Sequence, residues 1–253
     1  MVMAVVGVAY ATPVPVEVTF DGNPASNPSG VQDPYGHYVT PYEVQIDGPN
    51  GHTVQLVTCY DIQDTISPQT PPLALSYQEL SIDDVLSDGM FRGTGGLYDG
   101  TDVLNGYKSI AWLSTQTYST TAQEIGLQYA IWDVFGQRPD EGCSGSHCVD
   151  LSALGSSGDS SSARYAYDQY ESLLAPHLSN SFAGFDFSNA VFLEPTAGAV
   201  GEAGTTQPFV FVTGGGITNQ SSTPEPGTIV MIGSGLLCLL SSLGFKRFGH
   251  KRG

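Results

Sequence analysis

A thiol and a carboxamide that meet in a dry pocket can lose ammonia and become an internal thioester. This chain carries one candidate of each in apolar surroundings: Cys59, in LVTCYD, and Gln128, in the run EIGLQYAIWDVF over 124–135. An amide buried without a hydrogen-bond partner costs on the order of 1–3 kcal/mol, so Gln128 needs one. A backbone group or another side chain would serve, as for most buried glutamines. Alternatively the Cys59 sulfur attacks the amide carbon and the nitrogen leaves as ammonia. A thioester hydrolyses readily, so this second outcome requires that water be kept out. Tyr60, Tyr129 and Trp132 flank the two residues and can line such a pocket.

The elements that must position these groups are legible. Over 124–135, Ile125, Gln128, Tyr129 and Trp132 fall on one helical face. Leu127, Ala130, Ile131 and Val134 cover most of the remaining circumference, which predicts a helix buried on nearly all sides. Thr121 and Glu124 match a capping box, and Gly136 followed by Pro139 marks the stop. Cys59 falls at or just past the end of a strand, since VEVTF, YEVQIDG and TVQLVTCYD alternate apolar and polar residues. GPNG between the last two is a hairpin signal. Residues 62–102 read as mostly loop, with a short helix at 81–86. Residues 105–113 read as a helix with Tyr107, Ile110 and Ala111 on one face. Ala163, Ala166, Tyr167, Tyr170 and Leu174 form a helical stripe that Pro176 should end. FDFSNAVFLEP and QPFVFVT return as strands. The order of strands, helices and strands predicts an α+β fold: a strand-rich open barrel or sandwich with an inserted helical subdomain.

Composition narrows the setting. The chain has 253 residues, 40% of them hydrophobic, enough for a core, and its 31 Gly and 16 Pro imply many turns. All 25 acidic residues lie between Thr12 and Glu225, against four basic ones, Arg92, Lys108, Arg138 and Arg164, a formal balance of −21 over that span. Such a surface repels nucleic acid and anionic membrane and suits a soluble extracellular domain. Asp83, Asp84, Asp88, Asp99 and Asp102 form an acidic group without EF-hand spacing, by default a solvated loop. No metal or cofactor site is assigned. Cys143 and Cys148, in CSGSHC, could close a small disulfide loop in an oxidising compartment or, with His147, hold a metal. The disulfide reading leaves Cys59 as the odd cysteine of the domain.

The Cys59 segment followed by LQYAIW resembles the thioester domains of bacterial surface adhesins, over about Val16 to Thr213. Leu127, Gln128 and Ile131, with Ala130 and Trp132, match the Gln half of that pattern. Val57, Cys59 and Tyr60 match the Cys half, with Thr58 where an apolar side chain is usual. Tyr107 and Ala111-Trp112-Leu113 are similar to the helix that precedes the Gln motif. The resemblance implies an internal Cys59–Gln128 thioester that transfers its acyl group once to a surface amine or polysaccharide hydroxyl. Such a protein is a ligand, not an enzyme.

Both ends carry export signals. Residues 1–11 read as the later part of a secretory signal, with cleavage after Ala11. Residues 12–214 then form the ectodomain and 215–227 a linker containing Pro224, Glu225 and Pro226. Residues 228–245 are uncharged and apolar apart from small Ser and Thr. As a helix they reach about 27 Å, just enough to cross a bilayer core of about 30 Å. Lys246, Arg247, Lys251 and Arg252 follow in 246–253 and should stay cytoplasmic. This three-part tail resembles the PEP-CTERM sorting signal of Gram-negative bacteria. The resemblance implies processing by an exosortase near Pro224–Pro226, with the product anchored first in the inner membrane and then delivered to the cell surface, extracellular matrix or biofilm. A plain single-span anchor is the alternative for the tail. For the ectodomain the alternatives are a non-covalent matrix- or glycan-binding β domain and a hydrolase using Cys59. No local signature pairs His37, His52, His147, His177 or His250 with that cysteine.

If the tail is a sorting signal, Glu225→Ala leaves full-length protein in a host that carries the processing protease. Immunoblotting of membrane and secreted fractions checks this, and unchanged processing counts against the reading.

Overall fold

The computed structural model describes residues 13–20, 30–39, 41–60, 74–85, 103–136, 148–196, 208–214 and 217–219. The chain divides into two compact units, Met1–Thr218 and Asn219–Gly253, and the elements below belong to the first. The expected signal at 1–11, the Pro-Glu-Pro motif, the span at 228–245 and the basic tail lie outside the described residues. Among the described residues no helix is long and apolar enough to cross a membrane.

In chain order the elements are β1 (Val14–Phe20), β2 (Tyr42–Gly48), β3 (Gly51–Cys59), β4 (Ala74–Leu80), α1 (Val103–Ser114), α2 (Thr121–Phe135), a short 3₁₀ turn (Leu151–Leu154), α3 (Ala163–Ser179), β5 (Phe185–Asp186), β6 (Ala190–Pro195) and β7 (Phe209–Val212). Six strands close a barrel in the order β1-β2-β3-β7-β6-β4, antiparallel at every pairing. The α+β, strand-rich barrel is therefore present, and among the described residues α1, α2 and α3 are inserted between β4 and β6.

Two expectations change here. The barrel is closed, not open, and the strand that closes it, β4, falls in the stretch read as loop. It pairs with β1 on one side and β6 on the other, removing both free edges. Leu73, Leu75 and Tyr77 carry a period-two signal after Pro71-Pro72, but the pattern breaks before Leu80, and both Tyr77 and Leu80 are buried. Of the helix expected at 81–86, the described residues 81–85 form a single turn, in which the Asp84 carboxylate accepts bonds from the Ser81 backbone N–H and hydroxyl. Asp84 is thus used locally, while Asp88, Asp99 and Asp102 lie outside the described residues.

The hairpin forms as read: Gly48 pairs with Gly51 around Pro49-Asn50. Alternation places Val16, Val18, Val44, Ile46, Val57 and Cys59 in the core, whereas Val54 and Leu56 on β3 face outward and are exposed. β6 and β7 are buried on both faces. One face looks into the barrel, where the rings of Phe20, Tyr42 and Tyr77 surround Phe209. The other is covered by the helices, with Tyr107 of α1 edge-on to Phe192 at 5.1 Å.

Local chemistry sets the helix ends, with two shifts from the sequence reading. TTAQE offers overlapping capping frames, and the helix uses the earlier one. Thr120 is the N-cap, its hydroxyl accepting from Gln123 N, while Gln123 Oε1 reaches back to Ser119 N at 2.9 Å. That register turns Glu124 inward. At the other end of α2, Gly136 has an ordinary φ of −78°. Its missing side chain is required by space, because a Cβ would lie 2.5 Å from Trp132 O and from Val149 Cγ2. Pro176 does not end α3, which runs on to Ser179. A proline interior to a helix removes a backbone bond. Here tertiary packing outweighs that loss in the last turn, where the His177 ring sits 4.8 Å from Trp112 and 4.9 Å from Phe185.

α2 and α3 approach closely at Gly126, where a Cβ would stand 2.7 Å from Ala163 O, Ala166 Cβ and Tyr167 N. Two of those atoms are backbone and cannot swing aside. The Tyr167 hydroxyl bonds the buried Asp133 carboxylate at 2.6 Å and locks the same pair. Gly126→Val should destabilise the domain by about 2–3 kcal/mol, because overpacking of this kind has few ways to relax. Denaturant unfolding of the two proteins measures it.

Candidate functional site

Cys59 is the last residue of β3, directly opposite Phe209 of β7, so the two side chains share the inner face. Its sulfur therefore sits at a barrel mouth, where α2 arrives. Gln128 Nε2 donates to the Cys59 carbonyl oxygen at 2.8 Å. One turn further along α2, the Trp132 indole N–H donates to Cys59 Sγ at 3.4 Å. Cys59 is 0% exposed and Gln128 1%. The two residues singled out from sequence, 69 positions apart, are thus in contact in a buried pocket. The amide is satisfied by a backbone oxygen, which meets the burial requirement, and that oxygen belongs to the very residue whose thiol could replace the amide nitrogen. Cys59 is in no disulfide. Cys148 is disulfide-bonded, which removes its sulfur as a metal ligand, while Cys143 and His147 lie outside the described residues.

The three aromatic flanks divide. Tyr129 and Trp132 pack together at 5.3 Å and wall the pocket from the α2 side. Tyr60 turns to the seam between helices and barrel, where its ring meets Tyr107, Phe135 and Phe192. Its hydroxyl bonds the buried Glu194 carboxylate. Tyr42, the first residue of β2, adds a wall not expected from sequence. Burial, followed by the nearby Cys59 and Asp33, pushes its phenol well above the ordinary tyrosine value.

A second group of residues escaped the sequence reading. The loop 31–39 closes on itself through a Gln32–Tyr38 bridge and a Val39 N to Val31 O bond. Asp33 organises it: Oδ1 accepts from Tyr35 N at 2.9 Å and His37 N at 2.8 Å, with Gly36 at φ +88° making the turn. Oδ2 accepts from His37 Nδ1 at 2.9 Å and from the Tyr129 hydroxyl at 3.0 Å. The loop is thereby fixed to α2 one residue beyond Gln128, and the His37 ring stands edge-on to Trp132 at 6.3 Å. Tyr35 extends the contact to Asp150, through a 2.5 Å bond from its hydroxyl. Asp-Pro-Tyr-Gly was readable as a turn, but nothing local says that the turn docks on α2.

Burial alone would raise the Asp33 carboxyl. The bonds from the His37 side chain and backbone and from Tyr129 outweigh it and hold the group below the ordinary carboxylate value. Tyr129 is pushed far up, first by burial and then by the Asp33 charge. His52 and His177 lie elsewhere, on a surface pair with Asp47 and in the aromatic packing beside α1. Among the described residues no group of three or more His, Cys, Asp and Glu is arranged to hold a metal ion.

Comparison with family models, curated proteins and solved structures finds no match, so function has to be read from this geometry.

Asp33 is lower in the folded state than in the unfolded chain. Its contribution to stability is therefore present above the unfolded value, about 4, and is lost as the pH falls through the lower folded value. Thermal unfolding followed from pH 7 to pH 3 should show Asp33→Asn less stable at neutral pH, with a shallower acid decline than the parent. Parallel curves would contradict this assignment.

Proposed function

We propose that the chain is an exported surface or extracellular-matrix protein whose barrel domain forms an internal Cys59–Gln128 thioester for covalent attachment to a target nucleophile. The observation that carries this reading is the contact of Gln128 with Cys59 in a pocket where both are at most 1% exposed. Formation is balanced: the Cys59 thiol adds to the Gln128 amide carbon, the C–N bond breaks, and ammonia leaves with the thiol proton. Attack by a target then forms a bond to the same carbon and releases the Cys59 sulfur as thiolate. The Trp132 N–H is aimed at the atom that gains negative charge, the arrangement that favours charge development in a water-poor site. The acyl group is consumed in one turnover, so the protein acts as a ligand rather than an enzyme. The acidic surface and the tail support export to the cell surface or matrix, with an exosortase-type protease and the membrane as transient partners.

The hydrogen bond from the Gln128 amide to the Cys59 carbonyl favours one second reading, a non-covalent matrix- or polysaccharide-binding domain in which Gln128 and Cys59 only pack. A Cys59 hydrolase has less support, since the Trp132 indole that donates to the sulfur cannot act as a base.

Intact mass of the ectodomain, purified without reducing agent, should show a deficit of one ammonia that disappears in Cys59→Ala. A full-length mass, with Cys59 labelled by a thiol reagent in the native state, would select the second reading.

A further inference from the structure

Building on the thioester reading, we propose that Asp33 is a positioning residue for the acyl transfer: it holds Tyr129 and His37 against Trp132, so that the indole N–H stays on the Cys59 sulfur, the atom that leaves.

Trp132 touches the leaving atom, its N–H donating to Cys59 Sγ at 3.4 Å. That bond does not fix the ring by itself, because a cysteine sulfur is a weak acceptor. Nor does the backbone of α2 fix it, since rotation about the bond that carries an aromatic ring is broad. The plane of the indole is therefore set by what packs on it. Two of its ring neighbours are Tyr129, tilted at 5.3 Å, and His37, edge-on at 6.3 Å.

These two rings come from different elements, α2 and the 31–39 loop, and one atom holds both. Asp33 Oδ2 accepts from the Tyr129 hydroxyl at 3.0 Å and from His37 Nδ1 at 2.9 Å. Oδ1 accepts from the backbone N–H groups of Tyr35 and His37, which fix the carboxylate to its own loop. The Asp33 side chain is 0% exposed, so water does not compete for these bonds. They hold the carboxyl below the ordinary carboxylate value, so it is ionised at neutral pH, and a charged acceptor makes each bond stronger than one between neutral groups. A weakly held donor stays on its target when the groups behind it are locked in this way.

When an amine takes the acyl group, a C–N bond forms at the Gln128 carbon and the C–S bond breaks. The electron pair stays on sulfur, and one amine proton ends on that thiolate. The indole N–H stabilises the growing charge only if it is already aligned. Asp33 supplies the alignment through the two rings.

Indole N–H exchange and kinetics test this on the intact protein. The chain has two tryptophans, Trp112 and Trp132, so the Trp132 N–H signal in a heteronuclear NMR spectrum is assigned by its loss in Trp132→Phe. Cys59→Ala removes the acceptor and gives the exchange rate of the unbonded indole. Asp33→Ala should raise exchange toward that value, with the Trp112 signal unchanged. Tyr129→Phe, which deletes one hydroxyl, should raise it less, and decides the matter if Asp33→Ala does not fold. Parent-like exchange in the folded variants overturns the proposal. In the reaction, Trp132→Phe should slow opening of the thioester by methylamine roughly 10-fold, the scale of a hydrogen bond to a charged group. Asp33→Ala should slow it by a similar factor, and the double variant no more than Trp132→Phe alone. Losses that multiply in the double variant overturn the proposal, because groups that act independently combine in that way. Absence of the ammonia deficit in the parent overturns the thioester reading and this role with it, whereas unchanged exchange with the deficit present overturns this role alone.

Discussion

A carboxamide and a thiol are buried side by side, closed to solvent, and the rest of the domain is arranged to make that tolerable. Gln128 could not be buried at this depth unless something accepted its N–H, and the end of β3 supplies the oxygen. Once that bond is made, the pitch of α2 brings Trp132 over the sulfur one turn later. One polar contact thus sets the helix on the barrel mouth and also brings residues 59 and 128 together.

The remaining architecture holds α2 in that position. The barrel is closed, so the tip of β3 is pinned through β7 rather than fraying at an edge. α3 lies against α2 at a distance only glycine permits, and the Tyr167–Asp133 bond fixes the pair. Gly106 of α1 faces Phe135 at the other end, where a Cβ would stand 2.5 Å from its ring. Ring contacts from Tyr60, Tyr107 and Phe192 fill the seam between helices and strands. On the open side the 31–39 loop is tied to α2 through Asp33 and, through Tyr35, to the segment after Cys148.

Much of this was legible in the chain. Period-two alternation marked β1, β2 and β3, and helical spacing marked α1, α2 and α3, because those patterns follow from which side chains are buried; β6 and β7, buried on both faces, read as returning strands without that alternation. Cys59 and Gln128 stood out because a lone thiol and an amide among large apolar side chains both demand an explanation. Sequence left three kinds of fact undecided. β4 broke its alternation, and only pairing with β1 and β6 at once made it a strand. Pro176 obeyed packing rather than its own propensity. The Asp33–His37 pair reads locally as a turn, and it joins the site only because Tyr129 reaches Asp33 across 96 residues of chain. Local pattern records which face of an element is buried; which other element buries it, and which side chains thereby meet, is decided only when the barrel closes and α2 settles on its mouth.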